Sequence, residues 1–274
     1  MSKSKNLIFC FFLLIHYETI VLKMEGDNRQ KVEPTNIIFA FDVSGSMRDL
    51  LPRQVRSFNT EILTSQKKMF RDAVDMDGIV PENELCCVSM ITFSGRDQIR
   101  VLYKDVSITE MEEIKDGQLV ADGMTALRTT FVFIDNFLKT LANPGRKTMI
   151  FVLTDGDDTD SLREHSPSVV KEIFQRYERS KIEDPKHCIS ATLIGSNQDA
   201  VATGDSMGLP QTNALTFNDD NIGDAMSSIG RMVSRVVSGA DCSPSIIEDD
   251  RIRSCPEYTT PNSADFVVVD DDRY

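Results

Sequence analysis

Apolar runs of two kinds alternate along this chain, and each stops where turn-forming residues begin. Ile37-Ile38-Phe39-Ala40-Phe41 is an unbroken run of strand length, followed at once by Asp42-Val43-Ser44-Gly45-Ser46. Comparable runs cover 85–93, 149–153, 187–194 and 214–217, and residues 99–103 alternate enough to serve as a partner strand. Between them, apolar residues recur at helical steps: Val55, Phe58, Ile62 and Leu63; Leu127, Phe131, Ile134 and Leu138; Ile222, Met226, Ile229, Val233 and Val236. Spacing of this kind gathers them into one stripe per helix. Ser166-Pro167 is a capped helix start, expected to run to Tyr177. A further helix is expected over 198–207, and Asn143-Pro144-Gly145 breaks the one ahead of the 149–153 strand. Strands alternating with helices predict an α/β fold, a three-layer, doubly wound and mostly parallel sheet flanked by helices.

The ends of these strands carry the chemistry. Asp42, Ser44 and Ser46 are spaced two residues apart just past an apolar strand. Small hydroxyls and carboxylates are the donors a hard cation such as Mg²⁺ accepts, and they leave room for water. Ligands of open α/β sheets bind in the crevice beyond the carboxyl ends of the strands, where this cluster falls. Asp122-Gly123-Met124-Thr125-Ala126 precedes a helix and offers another hydroxyl, and the 149–153 strand ends in Thr154-Asp155-Gly156. Either fragment alone reads equally well as an ordinary turn. Together, in this order and each at an element boundary, they point to one site.

In these residues the chain resembles a von Willebrand factor type A domain with a complete metal-ion-dependent adhesion site. The resemblance runs over about 36–238 and implies Ser44, Ser46 and Thr125 as direct ligands of Mg²⁺ (or Mn²⁺ or Ca²⁺), with Asp42 and Asp155 holding the ion mainly through water. It also implies a protein partner that completes the metal shell with an Asp or Glu carboxylate, and a final helix able to shift as that shell changes. Residues 194–200, Ile-Gly-Ser-Asn-Gln-Asp-Ala, look closest to the intracellular bacterial and phage-type members. Asp157 and Asp158 follow in an acidic loop and are candidate modulators of the ion or the partner contact, although a solvated loop is the plainer reading.

The 274 residues suffice for one substantial core, and 41% hydrophobic with 27% charged residues is ordinary for a globular protein. A net charge of -13 argues against a nucleic-acid binder, which needs a basic face. An acidic partner group would have to be drawn by the local ion against the field of the whole chain. The six cysteines form no disulfide framework. Cys86 and Cys87 are adjacent, Cys188 opens a strand, and only Cys242 and Cys255 flank a polar segment that could bridge in an oxidising compartment.

Three segments follow: an extension over 1–35, the domain over 36–238, and an acidic, flexible tail over 239–274. Lys3 and Lys5 precede an apolar run at 7–15 that resembles a signal peptide, but it is short for a membrane span and lacks a small-x-small cleavage site. Met24 is an alternative start. The cysteine pattern favours the cytoplasm. Secretion or membrane anchoring through residues 7–22 is left open.

Other patterns fail on context. Gly204-Asp205-Ser206-Met207-Gly208 matches a nucleophile elbow, yet His16, His165 and His187 all precede the serine, where a hydrolase needs its histidine after it. Gly145-Arg146-Lys147-Thr148 lacks the upstream glycine of a phosphate loop and is followed by a strand. The competing functional classes are a metal-dependent hydrolase, for which no histidine or lysine accompanies the motif as a base, and a non-catalytic subunit of an ATPase machine. A divalent-metal-dependent protein-binding module is the reading favoured here.

Overall fold

The computed structural model describes residues 34–77, 86–197, 199–241 and 244–256, all within one compact unit, Val32–Tyr274. Six strands form a single sheet: β1 (Thr35–Asp42), β2 (Cys87–Phe93), β3 (Ile99–Ser107), β4 (Lys147–Thr154), β5 (Ile189–Ser196) and β6 (Ala214–Phe217), in the order β3-β2-β1-β4-β5-β6. All neighbours are parallel except β2 and β3. β1 lies at the centre with every residue buried, as a continuous apolar run requires when helices cover both faces.

The helices are α1 (Leu51–Ser57), a π-helical turn (Phe58–Thr64), α2 (Ser65–Asp77), α3 (Leu127–Leu138), α4 (Pro167–Glu183), α5 (Ala200–Ser206), α6 (Ile222–Val237) and α7 (Glu248–Ser254). Odd-numbered β1 residues Ile37, Phe39 and Phe41 face one layer with α1, the π turn, α2 and α6. Ile38 and Ala40 face the other, with α3, α4 and α5. Phe39 meets Phe58 edge-on at 4.9 Å and stacks on Phe151 at 5.4 Å, so the π turn is pinned directly onto the central strands. α6 approaches that turn so closely that a Cβ at Gly230 would stand 3.0 Å from the Glu61 carbonyl oxygen.

The three-layer, mostly parallel α/β architecture matches the expectation, and β6 and α6 coincide with the ranges read from periodicity. β2, β4 and β5 differ from the expected ranges by one or two residues at an end, and four further differences have a cause in the structure. β3 continues four residues past Tyr103, through Asp105 at φ 52, where a bulge shifts its register against β2. α4 runs on to Glu183, because its exposed last turns are held by local pairs such as Lys181 to Glu178 rather than by an apolar stripe. α5 begins at Ala200, where the Asp199 side chain accepts from the Ala202 N–H at 2.9 Å.

The fourth difference is a correction. The flexible tail expected from 239 onward is not loose over 244–256, where α7 packs on α6 and β6. Asp250 is fully buried and accepts from the Arg231 guanidinium at 2.6 Å, and Arg251 donates to the Ala214 carbonyl at 2.9 Å beside the sheet edge. The acidic letters that suggested a solvated tail are here the first turn of a helix, where carboxylates complement the dipole. No described helix is long and apolar enough to cross a membrane. The segment 1–33 with its apolar run, Cys242, and the stretch 257–274 lie outside the described residues, and with them the Cys242–Cys255 pairing.

Candidate metal centre

Three loops converge at the C-terminal ends of β1 and β4, where the strands deliver side chains to one edge. The first is local. Asp42 closes β1, and its Oδ1 accepts from the Ser44 N–H at 2.7 Å, folding residues 42–46 back on themselves. Ser44 and Ser46 then stand with hydroxyl oxygens 3.0 Å apart. The second contribution comes from β4: Ser46 Oγ donates to Asp155 Oδ1 at 2.7 Å. The third is the loop before α3, from which Thr125 Oγ1 reaches Asp42 Oδ2 at 3.4 Å. Asp42, Ser44, Ser46, Thr125 and Asp155 are therefore brought together by a continuous set of contacts.

Two glycines permit this approach. Gly123 takes φ 81, a conformation L side chains rarely adopt, and its carbonyl accepts from the Gly45 N–H at 2.9 Å, tying the second loop to the first. Gly156 lies against the hydroxyls, and a Cβ there would stand 3.3 Å from Thr125 Oγ1 and 3.8 Å from Ser46 Oγ.

The cluster is graded from core to solvent. Asp42 is 0% exposed, Ser44 1% and Thr125 4%, whereas Ser46 is exposed and Asp155 is intermediate. Burial raises the Asp42 carboxyl to about 6, against the lowering effect of its bonds from Thr154 and Ser44, and the Asp155 charge raises it further. Burial also raises Asp155, with the Ser46 bond opposing it and the Asp219 charge adding to it. A buried carboxylate surrounded only by hydroxyls, an N–H and another carboxylate has no cationic partner among the described residues. That donor set suits a small hard cation: several neutral oxygens, two acids and a solvent-facing rim. Among the described residues no cluster of three His, Cys, Asp or Glu side chains has metal-holding geometry, so any ion here would depend on hydroxyl ligands.

The loop modulators separate. Asp157 is exposed, while Asp158 pairs with Arg128 of α3 and accepts from Ser161 Oγ at 2.5 Å, which anchors the 156–161 loop. Sequence reading missed Thr154, whose Oγ1 donates to Asp42 Oδ2 at 2.6 Å from a fully buried strand position. Its place directly before Asp155 was the available signal. It also missed Asp219, which accepts from Ser196 Oγ and acts electrostatically on Asp155; nothing in the sequence marks that residue.

No family profile matches the chain, and no curated protein matches it. Solved structures do. Proximal thread matrix protein 1 from the mussel byssus, with a zinc-occupied MIDAS motif, is 15% identical at a TM-score of 0.45, over 74% of this chain and 46% of that one. A von Willebrand factor type A structure from Catenulispora acidiphila is 14% identical at 0.44, over 74% and 43%. The vWF domain of the type V pili tip protein Mfa5 from Porphyromonas gingivalis is 10% identical at 0.48, over 75% and 97%. The chain spans less than half the length of the first two. Two of these three neighbours are von Willebrand factor type A structures by description, and the likeness assigns no role to any residue of this chain.

Proposed function

We propose that this protein is a von Willebrand A-type interaction module that binds a divalent cation, Mg²⁺ in the first instance, and through it a carboxylate of a partner protein. The observation that carries the reading is the fully buried Asp42 carboxylate, enclosed by the Ser44 N–H and the hydroxyls of Thr125 and Thr154 and opening toward solvent at Ser46. Ser44, Ser46 and Thr125 would hold the ion directly, with Asp42 and Asp155 as the supporting acids. When bound, the cation supplies an electrophilic site for an incoming anion. Neutral hydroxyls as its nearest ligands cancel less of its charge than carboxylates would.

The remaining features follow from that role. A single carboxylate contact identifies no partner, so specificity rests on the loops around the site, and a stable complex would bury about 1,600 Å² in total. The module proper is read as residues 36–238, and the likeness of residues 194–200 to intracellular bacterial and phage-type members rests on sequence alone.

The test is calorimetric titration of Mg²⁺ and Mn²⁺ into the full chain, followed by partner capture with and without EDTA. Intact protein should bind metal and retain metal-dependent partners, and the Ser44→Ala/Ser46→Ala variant should lose both. Equal metal binding by that double variant overturns the reading.

A further inference from the structure

A cleft of about 290 Å³ opens beside the metal centre, on the sheet face that α1 and α6 cover elsewhere. Its floor is Thr92 of β2 with Arg100 and Leu102 of β3, and its far wall is the 118–120 segment. Val43 and Asp122 form the side it shares with the metal loops. The walls are fixed. Ser94 Oγ donates to Gln98 Oε1 at 2.5 Å, the side-chain Oε1 of Gln118 accepts from the Lys115 N–H at 3.0 Å, and Asp122 N–H donates to the Val43 carbonyl at 2.8 Å.

Arg100 is exposed on this cleft, and its side chain makes no hydrogen bond or ion pair among the described residues. Arg53, Arg96, Arg128, Arg176, Arg231 and Arg235 each pair with an Asp, whereas Arg100 presents an unneutralised guanidinium in the lining of this cleft. Asp122, the acid lining the cleft, stands at the metal side and caps its own loop by accepting from the Gly123 N–H at 2.8 Å. Strand register fixes the separation from the metal centre. Asp42 lies opposite Phe93, and Thr92 opposite Arg100. Arg100 is thus two strands from Asp42, roughly 10 Å at about 4.8 Å per strand. An extended peptide covers that distance in about three residues. Val120, 71% exposed, lines the cleft and offers apolar contact there.

We propose that this cleft is a second acidic subsite: a partner segment that presents one carboxylate to the metal centre sets another, two or three residues away, against the Arg100 guanidinium. The subsite rests on the metal-bridged reading above and gives it a sequence preference, a pair of acids at short spacing.

The probes are two peptides of equal length, acetyl-Gly-Asp-Gly-Gly-Asp-Gly-amide and its counterpart with asparagine in place of the second aspartate. They are titrated into the full chain in saturating Mg²⁺ and followed by NMR shift perturbation. The paired peptide should bind about fivefold more tightly, combining a twofold statistical gain with the modest contribution of an exposed ion pair. Arg100→Gln should reduce the ratio to about two while leaving the single-acid affinity unchanged. A ratio of two or less in the intact protein, or an unchanged ratio in Arg100→Gln, overturns the subsite and leaves the metal reading standing. Failure of both peptides to bind in Mg²⁺ overturns both.

Discussion

Ser46 donates a 2.7 Å hydrogen bond to Asp155 across 109 positions of sequence, joining the loop after β1 to the loop after β4. Because β1 and β4 are parallel neighbours, their carboxyl ends share one edge, and the two loops meet without distorting either. Behind that contact, Thr154 and Asp42 form a buried pair from the same two strands. The exposed contact opens to solvent and the buried one anchors the site.

Thr154→Val removes the bond to Asp42 while preserving shape and β-propensity. Loss of a partner that orients a supporting ligand typically weakens metal binding about 10–100-fold. Calorimetry should show that decrease for Thr154→Val and a near-normal affinity for Thr154→Ser, which keeps the hydroxyl.

The metal-free protein should be pH-sensitive through Asp42. Burial holds its folded carboxyl at about 6, above the ordinary 3.8, so its contribution is fully present below about 4 and is lost as pH rises through 6. By pH 7 the charged form costs the folded state on the order of 3 kcal/mol. Urea denaturation in EDTA should show stability declining from pH 4 to 7, with that slope reduced in Asp42→Asn. The same variant should gain no stability from Mg²⁺, whereas intact protein should.

Gly230→Ala sets two effects against each other. Helix propensity favours alanine by about 1 kcal/mol. The added Cβ would stand 3.0 Å from the Glu61 carbonyl, a backbone atom that cannot rotate away, and overpacking costs about 1–3 kcal/mol. A net loss of up to about 2 kcal/mol is expected in chemical denaturation. A stabilised variant would show that the π turn yields easily.

Asp250→Ala should separate the α7 segment from α6. It removes a fully buried carboxylate and leaves the Arg231 guanidinium with Ser228 alone among its described hydrogen-bond partners. The cost should be about 1–3 kcal/mol, smaller than for a wholly buried pair because Arg231 keeps 38% of its side chain in solvent. Hydrogen exchange should accelerate first over 244–254, and if it does not, the ion pair is not what holds the segment.

How much of this was legible beforehand follows from the range of the interactions. The 222–237 helix was readable to the residue because its stripe is periodic and its ends coincide with the loss of that period. β3 was read short, because an edge strand with exposed alternating positions and a bulge gives a weak signal beyond Tyr103. α7 was missed because seven residues rich in charge show no stripe, and only the contact with α6 makes Asp250 a core residue.

Local sequence determined that Asp42, Ser44 and Ser46 would share one turn, since residues two apart after a strand stay within a few ångströms wherever that strand lies. It also determined that the apolar runs would make buried parallel strands. Tertiary structure carried Thr125 and Asp155 to that turn, and it alone decided that Thr154 would join them, that Gly156 would sit where a methyl group crowds the hydroxyls, and that the Arg100 side chain would stand two strands away without a partner among the described residues. Periodicity records how each segment buries its own face. Strand order decides which loops meet, and that depends on the packing of all segments at once.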